Sequence, residues 1–233
     1  DWEKLKWEEQ EYFVDVPQGE LLRVDLFAKI PLVPSAENPN PGTVLLSVGL
    51  HLEVESGESV IAYPRRMCDY YRALRLYTDI PILPIAIYLR VAREGFGWET
   101  YQRDFLGVEI ERFNYAYIGL PGLNAAAYVN GENILGIALA ALMRCPESEK
   151  ALLKATAMQR LATASVNSAQ KFLLIECVEA YLPLEEPHAQ EYNELLAQPR
   201  FQEARMIGKT SYELGQEKGL ELGQQKPAFQ FCA

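Results

Sequence analysis

The stretch LLSVGLHLEVES, residues 45–56, alternates apolar and polar side chains. Its even positions from 46 to 54 are all apolar, and its odd positions end in His51, Glu53 and Glu55. A period of two is typical of a β-strand with one buried face, so the pattern predicts a strand. On that strand the two glutamates lie on one side, about 7 Å apart, where like charges repel. What balances their charge decides how the site is interpreted.

The segments on either side of this strand also carry regular patterns. Residues 60–78 place apolar side chains at helical spacing, and Pro64 favours a helix that begins near residue 63. A strand, a helix and a further strand predict a mixed sheet with a crossover connection, and hence an α/β core. A loop rich in Pro, Asn and Gly is predicted at residues 31–42. The other predicted strands lie at residues 11–16, 21–30, 80–91 and 108–120.

The character of the sequence changes after Pro121. Residues 132–182 are rich in alanine and leucine and contain few helix breakers, so they are predicted to be helical. The C-terminal segment carries glycines at close spacing, which weaken a helix by about 1 kcal/mol each relative to alanine. We therefore expect a core at 1–120, a helical region at 121–207, and a frayed or disordered tail at 208–233.

The composition predicts a folded cytoplasmic protein. With 49% hydrophobic residues, the 233-residue chain can bury a sizeable core and an appended helical part. No apolar run reaches the roughly 18 residues that span a bilayer, and the acidic first segment is unlike a signal peptide. Four widely separated cysteines and two histidines argue against a zinc site or a disulfide framework. We expect no membrane partner, and homo-oligomer formation is left open.

The charge distribution bears on nucleic acid as a partner. The formal net charge of −10 argues against such a partner at first. Between residues 60 and 93, however, six arginines face two aspartates, a local balance of +4. The sequence is therefore compatible with one basic face on an acidic protein.

Three acidic residues form the candidate site. Asp25 is predicted in mid-strand, on the less apolar side. If its strand pairs with the one that carries the two glutamates, Asp25, Glu53 and Glu55 converge. Mg²⁺ prefers oxygen ligands and would offset the repulsion among the acids. A bound Mg²⁺ or Mn²⁺ ion also polarises phosphate and activates water, as phosphodiester hydrolysis requires. The alternative is a solvated surface with salt bridges to Arg23 or Arg65.

The order of these motifs resembles the PD-(D/E)xK nuclease superfamily. More specifically, it is similar to the recombination-promoting nuclease and putative transposase family. The matching segments are RVDLFAKI at 23–30, HLEVE at 51–55, and RRMCDYYRALRLYTDIPILPIAIYL at 65–89. That family typically has His-Ile-Glu-Val-Gln, an Arg-Met-x-x-Tyr helix start and a proline-flanked apolar strand. The resemblance covers most of residues 20–120, and YELGQEKGLELGQQ at 212–225 is similar to the Glu/Gly-rich ends of family members.

The resemblance implies a restriction-endonuclease-like mixed central sheet with flanking helices, followed by an α-helical C-terminal region. It also implies a Mg²⁺-dependent endonuclease that acts on double-stranded DNA. Asp25 would be the first metal-ligating acid and Glu53 the second. Glu55 falls where the superfamily has Lys and this family usually has Gln, so it would bind metal or act as a general base. An extra acid would be Glu20 or would lie before Asp1.

Other residues near these motifs have two interpretations each. His51 would contact phosphate or a metal-bound water, or it would be structural. Arg66, in the Arg-Met-x-x-Tyr match, would bind phosphate or pair with one of the two glutamates. With Arg65 and Arg72 it would present the basic face to DNA.

Two further functions compete with the endonuclease. One is a catalytically inactive relative that acts as a binding or scaffold protein through its helical region. Glu55 in the lysine position and the acidic net charge favour this alternative. The other is a metal hydrolase that acts on a small phosphate substrate.

Overall fold

The computed structural model divides the chain into two compact units, Asp1–Leu123 and Asn124–Ala233. Glu20, the tail at 208–233 and residues 32–42 of the predicted loop lie outside the described residues. The residues that the structure describes are 5–8, 11–13, 21–31, 47–56, 63–90 and 93–207.

The first unit is built on a mixed β-sheet. Its sheet order is β1-β4-β5-β6-β8-β7, and β2 pairs with β3 in a separate hairpin. Strands β5, β6 and β8 run parallel, whereas β4 and β7 are antiparallel to their neighbours, which confirms the predicted α/β class. The strands are β1 Lys6–Trp7, β2 Glu11–Phe13, β3 Leu21–Arg23, β4 Leu26–Pro31, β5 Ser47–Glu55, β6 Ile82–Tyr88, β7 Gly95–Phe105 and β8 Val108–Gly119.

Helix α1, Tyr63–Tyr77, connects β5 to the parallel strand β6. It begins at residue 63, as the position of Pro64 predicts, because proline fits the first helical turn. Arg75 in its last turn donates to the carbonyl oxygens of Thr78 and Ile80, which satisfies acceptors beyond the helix end. The residues that it buries against the sheet are Tyr63, Met67, Cys68, Ala73 and Leu74.

The prediction of a single strand at 21–30 is wrong. The chain bends at Asp25, so β3 pairs with β2 and β4 pairs with β5. Asp25 therefore lies in a bend between two strands and not in mid-strand. The less apolar side of this segment is not simply the exposed one, because the neighbouring residues Phe27 and Ala28 are both buried. A strand that is covered on both faces shows no alternation in burial.

Strand β5 lies where the sequence predicts it, but the other face is the buried one at its end. His51 is 0% exposed and Glu53 is 4% exposed, whereas the apolar Val54 is 41% exposed. The reason is helix α1, which packs on the side of the sheet that carries His51 and Glu53. The position of a covering helix, and not the polarity of the strand, decides which face is buried.

The sequence did not predict strand β7. It forms a long hairpin with β8 through Leu106 and Gly107, which both have positive φ angles. Phe96 and Trp98 are each 67% exposed. Glu99, the next residue along β7, is turned towards the helix side and is half-buried. Because the aromatic residues face outward, the usual pattern of a half-buried strand is inverted here.

The second unit is helical, which confirms the helices predicted within 132–182. Asn124, Asn133 and Asn167 each accept a main-chain N–H at the start of a helix, and such caps define where the helices begin. No helix among the described residues has the length and apolar character that crossing a bilayer requires. The helices are α2 Ala125–Val129, α3 Ile134–Leu139, α4 Lys150–Ala162, α5 Ser168–Tyr181 and α6 His188–Leu196.

Two leucines of α1 provide a test of this packing. Leu74 is 0% exposed and Leu76 is 77% exposed on the same helix. We expect Leu74→Ala to lower the free energy of unfolding by about 2–5 kcal/mol, because it removes buried methyl groups and leaves a cavity. Leu76→Ala is the matched control and should change that free energy by less than about 0.5 kcal/mol in urea denaturation. Equal losses from the two variants would contradict the placement of α1.

Candidate functional site

The candidate site lies at the carboxyl ends of β5 and β6, beside the first turns of α1. Glu55 and Tyr88 are neighbours in the parallel pair, and the main-chain N–H of Leu89 donates to the carbonyl oxygen of Glu55 at 2.9 Å. Carboxyl ends of parallel strands are the usual place for ligand sites in α/β sheets. The sheet thus brings the end of β5, with its two glutamates, to such an edge.

Two hydrogen bonds hold Asp25 against the end of β5, one with the side chain of Glu53 and one with the main chain of Val54. The main-chain N–H of Asp25 donates to Oε1 of Glu53 at 2.9 Å, and the main-chain N–H of Val54 donates to Oδ2 of Asp25 at 2.8 Å. The antiparallel register, in which Leu26 pairs with Leu52, places the bend at Asp25 beside Glu53. Each carboxylate therefore accepts a main-chain N–H from the neighbouring segment of the chain, which stabilises two acids that would otherwise repel. The structure brings together the two predicted metal ligands.

His51 holds the buried carboxylate of Glu53. Its Nε2 lies 2.9 Å from Oε1 of Glu53, and the edge of its ring faces Tyr70 at 6.2 Å between centroids. Its Nδ1 is buried and has no hydrogen-bond partner among the described residues. A proton on Nε2 leaves only an acceptor unpaired at Nδ1, which favours that tautomer over one with an unpaired N–H. The geometry therefore supports a structural role for His51 over a contact with phosphate or a metal-bound water.

Glu55 forms an ion pair with Arg66. The guanidinium of Arg66 also lies over the ring of Tyr63, at 4.7 Å from the centroid. Partial burial of Arg66 lowers its pKa, but the hydrogen bond to Glu55 and the negative charge of Glu55, with smaller contributions from Tyr70 and Tyr63, together raise it. Arg66 thus pairs with a glutamate, as one of its two interpretations anticipates.

Tyr70 of α1 is influenced by all three acids. Burial contributes most to its raised pKa, followed by the negative charge of Glu53. Asp25 and Glu55 raise the pKa further, while Arg66 lowers it.

The acids of the candidate site do not form a complete set of metal ligands by themselves. No group of three His, Cys, Asp or Glu side chains within the described ranges is placed to hold a metal ion. Magnesium is commonly held by one or two carboxylates, with water and substrate oxygens completing the coordination. Asp25 and Glu53 match that smaller requirement.

The arginines predicted to form the basic face are engaged with acids. Arg65 lies 3.8 Å from Asp69, and Arg72 pairs with both Asp69 and Glu111. Arg66 alone of these three contacts a predicted site residue. These contacts neutralise much of the local positive charge that a count of residues suggests.

Sequence reasoning missed Glu99, which lies on β7. Its Oε2 accepts hydrogen bonds from the hydroxyls of Tyr88, at 3.1 Å, and Tyr115, at 2.8 Å, and Glu99 also pairs with Arg93. Burial alone would raise the pKa of Glu99, but the hydrogen bonds from Arg93, Tyr115 and Tyr88 and the positive charge of Arg93 together lower it. Phe96 and Trp98 are separated by one glycine, a spacing of two that is typical of a strand. This spacing could have predicted β7, the strand that carries Glu99.

Comparisons of the chain with protein-family models, with curated proteins and with solved structures found no match. The function is therefore argued from the geometry of the site.

The bond between His51 and Glu53 can be tested through stability. We expect His51→Leu to lower the free energy of unfolding by about 1–3 kcal/mol, because it leaves a buried carboxylate with one donor fewer. In Glu53→Gln the side chain keeps its acceptor but loses its charge, so the same histidine substitution should then cost less. Urea denaturation of the two single variants and the double variant gives the coupling energy, expected between about 0.5 and 3 kcal/mol. Strictly additive losses would show that the charge of Glu53 contributes nothing to this contact.

Proposed function

We propose that the chain is a Mg²⁺- or Mn²⁺-dependent DNA endonuclease whose first unit has a restriction-endonuclease-like core. The observation that carries the proposal is the pair of hydrogen bonds, with the carboxylate of Glu53 and the main chain of Val54, that holds Asp25 beside Glu53. The mixed sheet, the crossover by α1 and the position of the acids at the carboxyl ends of the strands all support it. They agree with the fold that the sequence resemblance implies.

The donor set suits a hard divalent cation. Asp25 and Glu53 would hold the ion through carboxylate oxygens, which magnesium prefers. Oε1 of Glu53 is engaged by His51 and by the main chain of Asp25, so Oε2 is the oxygen suited to the ion. When bound, the ion would polarise the scissile phosphate and promote ionisation of water.

The residues around the two acids have separate tasks in this proposal. His51 holds Glu53 in one orientation, and the N–H of Val54 does the same for Asp25. Arg66 would exchange Glu55 for a phosphate oxygen of DNA, since guanidinium groups bind both kinds of anion. Glu55, once released, would be available as the general base.

A catalytically inactive relative that acts as a binding or scaffold protein is the second candidate. The ion pair between Arg66 and Glu55 favours it, because it occupies the position where the superfamily has a lysine. The pairing of Arg65 and Arg72 with acids favours it as well, because it reduces the charge available to DNA. Catalysis and DNA binding can be tested separately.

The enzyme is tested with supercoiled plasmid. We expect nicking or linearisation only when Mg²⁺ or Mn²⁺ is present, and a loss of at least about 100-fold in rate for Asp25→Ala and Glu53→Ala. Asp104→Ala removes an exposed acid of β7 and should cleave at the wild-type rate. If wild type is inert with both metals but Glu55→Lys cleaves, the chain is an inactive relative. If Asp25→Ala cleaves as fast as wild type, the site is wrongly assigned.

DNA binding is tested through its dependence on salt. The affinity for a double-stranded oligonucleotide should fall steeply as salt rises, because phosphate contacts release counterions. Arg65→Ala and Arg72→Ala should each reduce the slope of log affinity against log salt by about 0.9, the value of one phosphate contact. Arg112→Ala, which removes an exposed arginine paired with Glu109, serves as the control. Unchanged slopes in the first two variants would show that these arginines serve only their internal ion pairs.

A further inference from the structure

A cavity of about 410 Å³ lies within the second unit, and every residue that lines it belongs to that unit. Its volume falls in the range of small-molecule pockets, about 300–1,000 Å³. Leu152, Leu153 and Thr156 line it from one face of α4, because residues three and four apart lie above one another on a helix. The rest of the lining comes from α2 and its ends, from the segment 144–149 and from the 3₁₀ helix Pro199–Phe201.

Arg144 is fixed at this cavity by its main chain, while its side chain is free. Its carbonyl oxygen accepts the N–H of Ala125 at 3.1 Å, and it forms a β-bridge with Asn124. In the part of the chain that the structure describes, its guanidinium has no hydrogen-bond or ion-pair partner. Arg93 and Arg112 of the first unit, by contrast, are both paired with glutamates. The donors of Arg144 are therefore available to a ligand.

Arg200 supplies a second guanidinium, which is held in one orientation. It lies over the ring of Phe201, at 4.7 Å from the centroid, and its Nε donates to Oε1 of Gln198 at 3.0 Å. These contacts leave its terminal nitrogens as donors. Glu149 also lines the cavity. Two arginines and one glutamate give the lining a net charge of +1, which favours an anion.

The cavity also offers apolar surface to a ligand. Leu152 is 41% exposed, and Ala126 at the start of α2 is exposed as well. Leu153 and Phe201 are buried and close the wall behind them. An accessible apolar surface beside two oriented cations is the combination that small organic ligands require, since the apolar part gives affinity and the polar groups fix orientation.

We propose that this cavity binds a small organic anion, whose carboxylate or phosphate group is held by Arg144 and Arg200 and whose apolar part packs against Leu152 and Ala126. Guanidinium groups bind both kinds of anion through forked hydrogen bonds. Glu149 restricts the ligand to one or two negative charges, because it repels a more highly charged anion. The inference concerns the second unit alone and does not depend on the proposed endonuclease activity.

Three aromatic probes of similar size test the cavity: phenyl phosphate, benzoate and benzyl alcohol. Isothermal titration of the full chain should give dissociation constants of about 1 mM for the two anions, as expected for ligands of about ten non-hydrogen atoms. Benzyl alcohol presents the same ring without a charge and should bind at least about 10-fold more weakly. Equal affinity for the neutral probe would show that the arginines do not recognise the ligand, and would overturn the inference.

Substitutions locate the binding site. Arg144→Ala and Arg200→Ala should each weaken the binding of phenyl phosphate at least about 10-fold, because a charge-assisted hydrogen bond is lost. Arg205→Ala is the matched control, since it removes an exposed arginine of the same unit that does not line the cavity. Glu149→Gln should strengthen binding about 3-fold, because it removes the negative charge of the lining. All four side chains are exposed, so the urea midpoints should equal that of wild type.

Three results would overturn the inference. Wild type that binds neither anion has no such site. Unchanged affinity in both Arg144→Ala and Arg200→Ala would place the bound anion elsewhere on the protein. If wild type binds neither anion but these two variants lose affinity for a double-stranded oligonucleotide, the arginines contact nucleic acid and the cavity is not a small-molecule site.

Discussion

The buried carboxylate of Glu53 is the constraint on which the arrangement of the first unit depends. An isolated charge in the protein interior is costly, so the carboxylate of Glu53 requires hydrogen-bond donors. The structure supplies one from His51 on the same strand and one from the main chain of Asp25, in the bend before β4. The bend between β3 and β4 is what places the N–H of Asp25 within reach. The local geometry of three segments thus follows from the need to satisfy one side chain.

The parts of the fold that follow local rules could be predicted from the sequence. The start of α1 at residue 63 follows from the position of Pro64, and β5 follows from its period of two. Which face of β5 is buried could not be predicted, because that depends on where α1 packs. Strand β7 was missed because Phe96 and Trp98 lie on its exposed face and Glu99 on its covered face. The bend at Asp25 was missed because it arises from a change of partner strand, which no local pattern records.

The charge of the site, like the buried face of β5, depends on which residues the fold brings together and not on composition alone. A count of residues between 60 and 93 suggests a basic face, but it does not reveal which acids lie near the arginines. Exposed ion pairs such as Arg65 with Asp69 contribute only about 0–1 kcal/mol, so phosphate could replace the acid at little cost. Arg66 differs, because the carboxyl of Glu55 is only 13% exposed. In the proposed binding of DNA, releasing Glu55 from Arg66 would therefore be the more costly step.

The burial of Glu53 also bears on whether the site is functional. A buried pair such as His51 and Glu53 is rarely the most stable choice, since apolar residues of similar volume are often as stable or more so. Stability alone therefore does not account for a carboxylate at the covered end of β5. In the proposed metal site this carboxylate would have a role beyond stability, because its second oxygen would be a ligand of the ion.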